Sequence, residues 1–180
     1  MNLPFSHPLR AAEPLSLPPR VSIQAEDFDL SAELSALRRL PSGQWNTGVG
    51  AVASFVGTVR DLNDGDAVSS LILEHYPGMT ERSIEAILDE AEGRWPLLGT
   101  RVVHRIGPLL PADQIVLVAV SSAHREASLA ACAFIMDYLK SKAPFWKREA
   151  TQQGDRWVDA RVSDAAASAR WAAEDPLKKG

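Results

Sequence analysis

Residues 114–149 read QIVLVAVSSAHREASLAACAFIMDYLKSKAPFWKRE, and this stretch decides the fold. Its first seven residues are nearly all apolar and β-branched, which suits a strand buried on both faces and therefore central in a sheet. Two serines follow, and either Ser121 or Ser122 can cap a helix start. From about residue 126 to 142 the run is rich in alanine and leucine, which predicts a long helix, and Pro144 stops it because a proline disfavours helical geometry in the residue before it.

Upstream, residues 21–23 suit a short strand, and residues 30–40 carry apolar positions at helical spacing, with Ser31 available as a cap and Pro41-Ser42-Gly43 as the stop. The run GAVASFVGTV at 50–59 reads as a buried strand, residues 61–66 as a turn-rich loop, and residues 68–75 as a second, alternating strand. Together they predict a hairpin with a long polar tip. Pro77-Gly78 breaks that strand, Thr80 can cap a helix whose apolar stripe is Ile84, Ile87, Leu88 and Ala91, and Trp95-Pro96 ends it. Residues 101–106 alternate as a strand, joined to the apolar one by residues 107–113. Beyond the long helix, residues 156–162 suit a last strand and the alanine-rich end from Ser163 a poorly tethered helix. No regular strand-helix-strand alternation runs through the chain, and the expected hairpin implies antiparallel pairing, so the fold class is α+β.

At 180 residues and 46% apolar content the chain can build one domain with a real core. That domain is expected at 21–162, between a flexible proline-rich tail (1–20) and an alanine-rich extension (163–180). The first twenty residues lack the apolar core of a secretory signal, and no stretch approaches the roughly 20 apolar residues of a membrane-spanning helix. A formal net charge of −4 argues against a general nucleic-acid binder, so any anion site must be local. The single cysteine, Cys132, permits neither an intrachain disulfide nor a multi-cysteine metal site, and fits a reducing cytosol.

Cations gather around the long helix: His124 and Arg125 where it begins, Lys140, Lys142, Lys147 and Arg148 around its end. A solvated basic face is the ordinary fate of such a run. Here Lys140 stands one turn after Met136 and two after Cys132, on an apolar face, while Phe145-Trp146 directly precedes Lys147. Apolar and cationic surroundings disfavour an ammonium and make a lysine a usable nucleophile or proton acceptor. At the other end, first-turn amides favour an anion, with His124 and Arg125 as added donors, against the alternative of a packed histidine. Fifteen residues of continuous helix separate Arg125 from Lys140 by roughly 22 Å, so one subunit cannot bring both to one small phosphate. Either there are two sites, or a symmetric dimer sets one helix start beside another helix end.

The stretch SSAHREASLAACAFIMDYLKSKAPFWKRE, with FVGTVRDLNDG and LILEHYPGMTE upstream and HRIGPL between, closely resembles the large, catalytic subunits of molybdopterin synthase over about residues 21–162. The resemblance implies an α/β-hammerhead-type α+β fold, with a mixed or antiparallel sheet, long helices and a small β subdomain. It also implies a central homodimer with a small ubiquitin-like sulfur-carrier subunit at each end, a heterotetramer. The carrier's C-terminal Gly-Gly thiocarboxylate would deliver sulfur to cyclic pyranopterin monophosphate, two transfers giving molybdopterin. By the same resemblance Lys140 is the essential lysine and Lys147 the second pocket lysine. Phe55, Arg60 and Met136 line the pocket, and His124-Arg125 come from the neighbouring subunit.

Sulfur supplied by a carrier requires no catalytic cysteine, so Cys132 is expected as a small core residue. Nothing in the sequence requires a metal or cofactor; His75 and His104 read as strand histidines with structural hydrogen bonds. Lys140 as base, electrostatic stabiliser or transient acyl acceptor all remain open. The competing readings are a non-catalytic module that binds the tail of a ubiquitin-like partner through these lysines, and a regulatory phosphate sensor.

Overall fold

Valine-rich strands with helices between them settle here into two sheets. A computed structural model of the chain describes residues 17–63, 66–151, 154–158 and 170–171, with 62–63, 66–68, 149–151 and 154–158 described by backbone alone. In chain order the elements are β1 (Val21–Gln24), α1 (Leu30–Ala36), β2 (Ala51–Thr58), β3 (Leu62–Asn63), β4 (Asp66–His75) and α2 (Met79–Arg94), then β5 (Leu97–Arg105), β6 (Gly107–Leu109), β7 (Gln114–Ser122), α3 (Arg125–Lys142), β8 (Phe145–Thr151) and β9 (Gly154–Val158).

The first sheet has the order β1-β5-β7-β2, with β1 parallel to β5 and the other pairs antiparallel. The second runs β3-β4-β8-β9 with β6 on the free side of β4, all antiparallel. The architecture is thus α+β, as expected. β7 is central, and its two faces explain its composition. Val116, Val118 and Val120 point into the cluster under α2 and α3 with Ile84, Leu88, Phe134 and Ile135. Leu117 and Ala119 point the other way, to Phe28 and α1. A strand covered on both sides needs apolar residues at every position.

Several local expectations change. The strands at 50–59 and 68–75 do not form a hairpin: β2 pairs β7, with Phe55 opposite Val118, whereas β4 pairs β3, β6 and β8. Both strands were recognisable, but β2 lies against the apolar run of β7, whereas β4 lies between β6 and the largely polar β8. α1 ends at Ala36, and its cap is Asp29, whose carboxylate accepts from the Ser31 and Ala32 amides, rather than Ser31 itself. Gly78, not Thr80, is the N-cap of α2, and the Glu81 carboxylate accepts from the Gly78 amide at 2.6 Å. His124 occupies the N-cap of α3 without a side-chain hydrogen bond; the Ser122 hydroxyl is turned to the Pro96 carbonyl at 2.8 Å. β5 starts at Leu97, and the segment after Pro144 is a strand, β8, that the sequence reading left unassigned. The last strand begins at Gly154, and residues 159–162 lie outside the described residues.

At the chain ends, Arg20 belongs to the folded body: its guanidinium pairs with Glu85, Asp89 and Glu92 of α2. Residues 1–16 lie outside the described residues. In the alanine-rich extension the described pair Arg170-Trp171 is tethered. Trp171 is 7% exposed and meets Trp95 and Phe134 edge-on, its ring N–H donates to Asp137 at 2.8 Å, and its carbonyl accepts from Arg94 at 2.9 Å.

Among the described residues the chain leaves the first layer for the second three times, and returns after β4 and after β6. The chain passes over after β2 through Val59-Arg60, after β5 through Ile106-Gly107, and after α3 through Ala143-Pro144. Val59, Leu71, Leu73 and Leu109, all buried, make a small core of their own there, with Ile115 against it. Gly107 has a φ of 81°, a left-handed turn that glycine takes without steric cost, and this redirects the chain from β5 into β6. His104, 8% exposed at the end of β5, stacks on Phe145 at the start of β8, with ring centroids 3.8 Å apart and planes 15° apart. Its Nδ1 lies 2.8 Å from the Arg105 carbonyl, which can only accept, so Nδ1 carries the proton. The structural hydrogen bond expected of this histidine is present.

Burial lowers the His104 pKa to about 4. Between that value and the ordinary 6.5 the unfolded chain binds a proton that the folded one releases. The contribution is therefore complete above about pH 6.5 and lost as pH falls towards 4, on the order of 3 kcal/mol in all. Urea titrations from pH 7 to pH 4 should show this decline, and His104→Phe should flatten it. Separately, Trp171→Ala should cost about 3–5 kcal/mol, read as a lower denaturation midpoint at unchanged slope.

Candidate functional site

The long helix packs on β2 and β7 and runs back antiparallel to β7, because only a short turn at Ala123-His124 joins them. Cys132 fixes the register: its sulfur lies 3.8 Å from the Val118 carbonyl, and Val118 pairs with Phe55. Each further turn of α3 advances about 5.4 Å towards the start of β7 and the end of β2. Met136 comes one turn on and is half-buried against the main core; Lys140 comes one turn later and reaches solvent. This is the end of the first sheet from which the three crossings leave.

Phe55 shares the α3 face of β2 with Ala53 and Gly57, since directly paired residues of antiparallel strands lie on one face. Its ring leans along the strand over Gly57: a Cβ there would lie 3.3 Å from Phe55 Cε1 and 2.9 Å from Val116 Cγ1. Glycine at 57 thus lets a 40% exposed phenylalanine lie flat towards the crossing. Arg60 follows β2 within that crossing and is exposed. Lys147 is the third residue of β8, opposite Leu73. With Phe145, and with Leu73 and His75 across the strand pair, it occupies the face of the second sheet turned towards His104, and its charge acts on the His104 ring.

Lys140, Lys147, Arg60, Met136 and Phe55 thus all stand on segments that reach the junction of the two layers: two ammonium groups, a guanidinium and two apolar side chains. Such a set suits a ligand with anionic groups on an apolar body. Lys140 and Lys147 are both exposed, so the apolar enclosure expected around Lys140 is not built by the described residues. Tyr138 and Leu139 of the same turn are buried in the main core, whereas Lys140 points away from it. His124 and Arg125 are not brought to this junction. They are exposed at the opposite end of α3, a continuous helix of 18 residues, roughly 22 Å from Lys140 by its rise.

Cys132 is 7% exposed among core residues, and burial pushes its thiol up to about 11, so it stays protonated and unreactive at neutral pH. The expected core role is what the structure has. A separate cavity of about 260 Å³ lies at the opposite end of β5 from His104, between α1 and the chain at Leu17-Pro18, and contains neither lysine. Its charged walls are already matched within the protein, Arg101 with Glu33 at 2.7 Å and Arg20 with three α2 carboxylates. Cavity size and chemistry disagree about where a site lies, and the exposed cations beside apolar side chains at the layer junction are the better guide to a site for an anionic ligand. The sequence reading missed His104, Thr80 and β8 as parts of this junction; HRIGPL and LILEHYPGMTE were visible as blocks, but nothing local in them reveals what they pack against. Among the described residues no helix is long and apolar enough to cross a membrane.

Residues 23–142 match the model of the family described as MoaE protein, the match ending with α3. The chain is 60% identical over 153 residues to a "Molybdopterin synthase catalytic subunit" of Ralstonia nicotianae, covering 85% of this chain and 84% of that protein. Among solved structures it is similar to a "Molybdopterin biosynthesis MoaE protein" from Burkholderia ambifaria, with TM-score 0.70 and 54% identity over 84% of this chain and 97% of the other. It is also similar to a "Molybdopterin Synthase" from Staphylococcus aureus, with TM-score 0.67 and 33% identity over 76% and 95% of the two chains. A family model covering two thirds of the residues, and relatives this similar over most of both chains, establish that this protein belongs to the MoaE family of molybdopterin synthase catalytic subunits.

Proposed function

We propose that this chain transfers sulfur from the C-terminal Gly-Gly thiocarboxylate of a small ubiquitin-like carrier subunit to cyclic pyranopterin monophosphate, in two rounds that form the dithiolene of molybdopterin. The observation that carries this reading is the junction of Lys140, Lys147 and Arg60 beside Met136 and Phe55, in a member of this family. Cations held there can bind the substrate phosphate and offset the negative charge that develops as the thiocarboxylate sulfur bonds to the pterin and water then cleaves the acyl–sulfur bond, releasing the carrier's carboxylate and leaving the sulfur on the pterin. Lys140 and Lys147 are the catalytic pair; Phe55, Arg60 and Met136 bind substrate. An extended carrier tail fits an open junction between two layers better than an enclosed cavity.

The sulfur enters with the carrier, so the chain needs no thiol of its own, and the protonated, buried Cys132 is consistent with that. His124 and Arg125 act in the neighbouring subunit's site. With α3 continuous, only a homodimer that sets the start of one α3 beside the end of the other lets both patches reach one phosphate. The working assembly is then a heterotetramer, two of these chains with one carrier on each, acting in the cytosol. The alternative of a non-catalytic module binding a carrier tail or a phosphate has no separate observation in its favour.

Purified protein mixed with thiocarboxylated carrier and pterin phosphate should give dithiolene product by mass spectrometry. Lys140→Ala and Lys147→Ala should each lower the rate by about a hundredfold or more while still binding the carrier. Unchanged product formation by Lys140→Ala would leave only a binding module. Mixing inactive Arg125→Glu with inactive Lys140→Ala should restore about a quarter of the wild-type rate, because random exchange gives half mixed dimers with one intact site each. No recovery in demonstrably mixed dimers removes the shared site.

A further inference from the structure

Two sequence blocks, LEHYPGMTE (73–81) and HRIGPL (104–109), have no part in the chemistry above, yet both converge on the short connector between the two lysines. That connector, Ala143-Pro144, turns α3 into β8, and three elements hold it. From the start of α2, the Thr80 hydroxyl lies 3.2 Å from the Pro144 carbonyl and 3.1 Å from the Tyr76 carbonyl, sharing its one proton between them, and accepts from the Tyr76 amide at 3.2 Å. Thr80 is 0% exposed, so no water competes for these contacts. From the end of β5, His104 lies flat on Phe145, its own ring plane set by the hydrogen bond to Arg105. From the end of β4, His75 pairs with Phe145 in the sheet, and its Nε2 lies 3.7 Å from Glu81.

Lys140 and Lys147 stand on either side of this clamp, and each ends in a long, exposed side chain. The distance between their ammonium groups therefore depends on the angle at which the backbone leaves α3 and enters β8. We infer that Thr80 and His104 are positioning residues: without touching substrate, they fix the Pro144-Phe145 turn and so the spacing of the two lysines. The inference rests on the reading of those lysines as a pair. The threonine acts through its hydroxyl and the histidine through its flat ring, which predicts which replacements are tolerated. Thr80→Ser keeps the hydroxyl and His104→Phe keeps the stacking face, whereas Thr80→Val keeps only the shape and His104→Ala neither ring nor contact.

The test measures kcat, the KM for thiocarboxylated carrier, and melting temperature for these four variants in the full-length protein. Thr80→Val and His104→Ala should lower kcat about ten- to a hundredfold, the scale of an ångström-level misplacement of reacting groups, with KM changed less than about threefold. Thr80→Ser and His104→Phe should stay within about threefold of wild type in both. A purely structural role would lower the melting temperature of Thr80→Val without this split. Wild-type kcat in folded Thr80→Val overturns the inference for Thr80; His104→Phe as slow as His104→Ala overturns it for His104. If His104→Ala does not fold, the near-isosteric Thr80→Val decides alone. A second readout needs no turnover: cross-linking of Lys140 to Lys147 by a short bis-succinimidyl ester, quantified by mass spectrometry, should fall several-fold in Thr80→Val and His104→Ala. Should wild type make no product, the sulfur-transfer reading fails by itself, and the positioning role is then judged on the cross-link, equal yields overturning it.

Discussion

Two sheets of different character have to be held at a fixed angle, and the small core of Val59, Leu71, Leu73 and Leu109 does this together with the stack of His104 on Phe145. The first sheet is covered on both faces by helices. The second is thin and depends on its attachment. Because the chain leaves the first layer from one end of its sheet each time, the ends of β2 and α3 and the start of β8 all lie at the junction, although they are far apart in sequence. The junction of the layers and the candidate site are the same feature of the molecule.

This arrangement also explains the division of labour among the polar groups. Those whose work is structural are buried and matched: Arg101 with Glu33, Thr80 between two carbonyls, and His104, kept neutral by burial, hydrogen-bonded to the Arg105 carbonyl. Each would be costly to bury without its partner. The cations assigned to chemistry remain in solvent at the open side, where an anionic substrate and a carrier tail can reach them. α3 links the two kinds of group. One face of it fills the core from Ala131 to Leu139, while its two ends carry the exposed Arg125 and Lys140, too far apart to serve one small ligand.

Much of the secondary structure was legible, for reasons visible in particular residues. β7 is apolar without a break from Ile115 to Val120 because both of its faces are covered there, and α3 carries the alanine and leucine of a helix that ends before a proline. Lys140 and Lys147 stood out because they flank that proline. The pairing of 50–59 with 68–75 was misread because two neighbouring strands separated by a polar loop look like a hairpin whether or not they pair. Helix caps failed for a related reason: Asp29 and Gly78 won their places through loop geometry that a serine or threonine two residues later does not reveal.

The amino-acid sequence by itself determined the class of each strong element, the family, and the residue types from which the site is built, because helix and strand periodicity and short motifs are local properties. Only the tertiary structure decided which strand lies beside which, that Thr80 and His104 meet the turn between the lysines, and that Trp171 returns to the core. Backbone hydrogen bonds between strands carry no side-chain identity, and packing contacts join residues scores of positions apart. Such choices are settled by the competition of all possible partners at once, which no single stretch of sequence records.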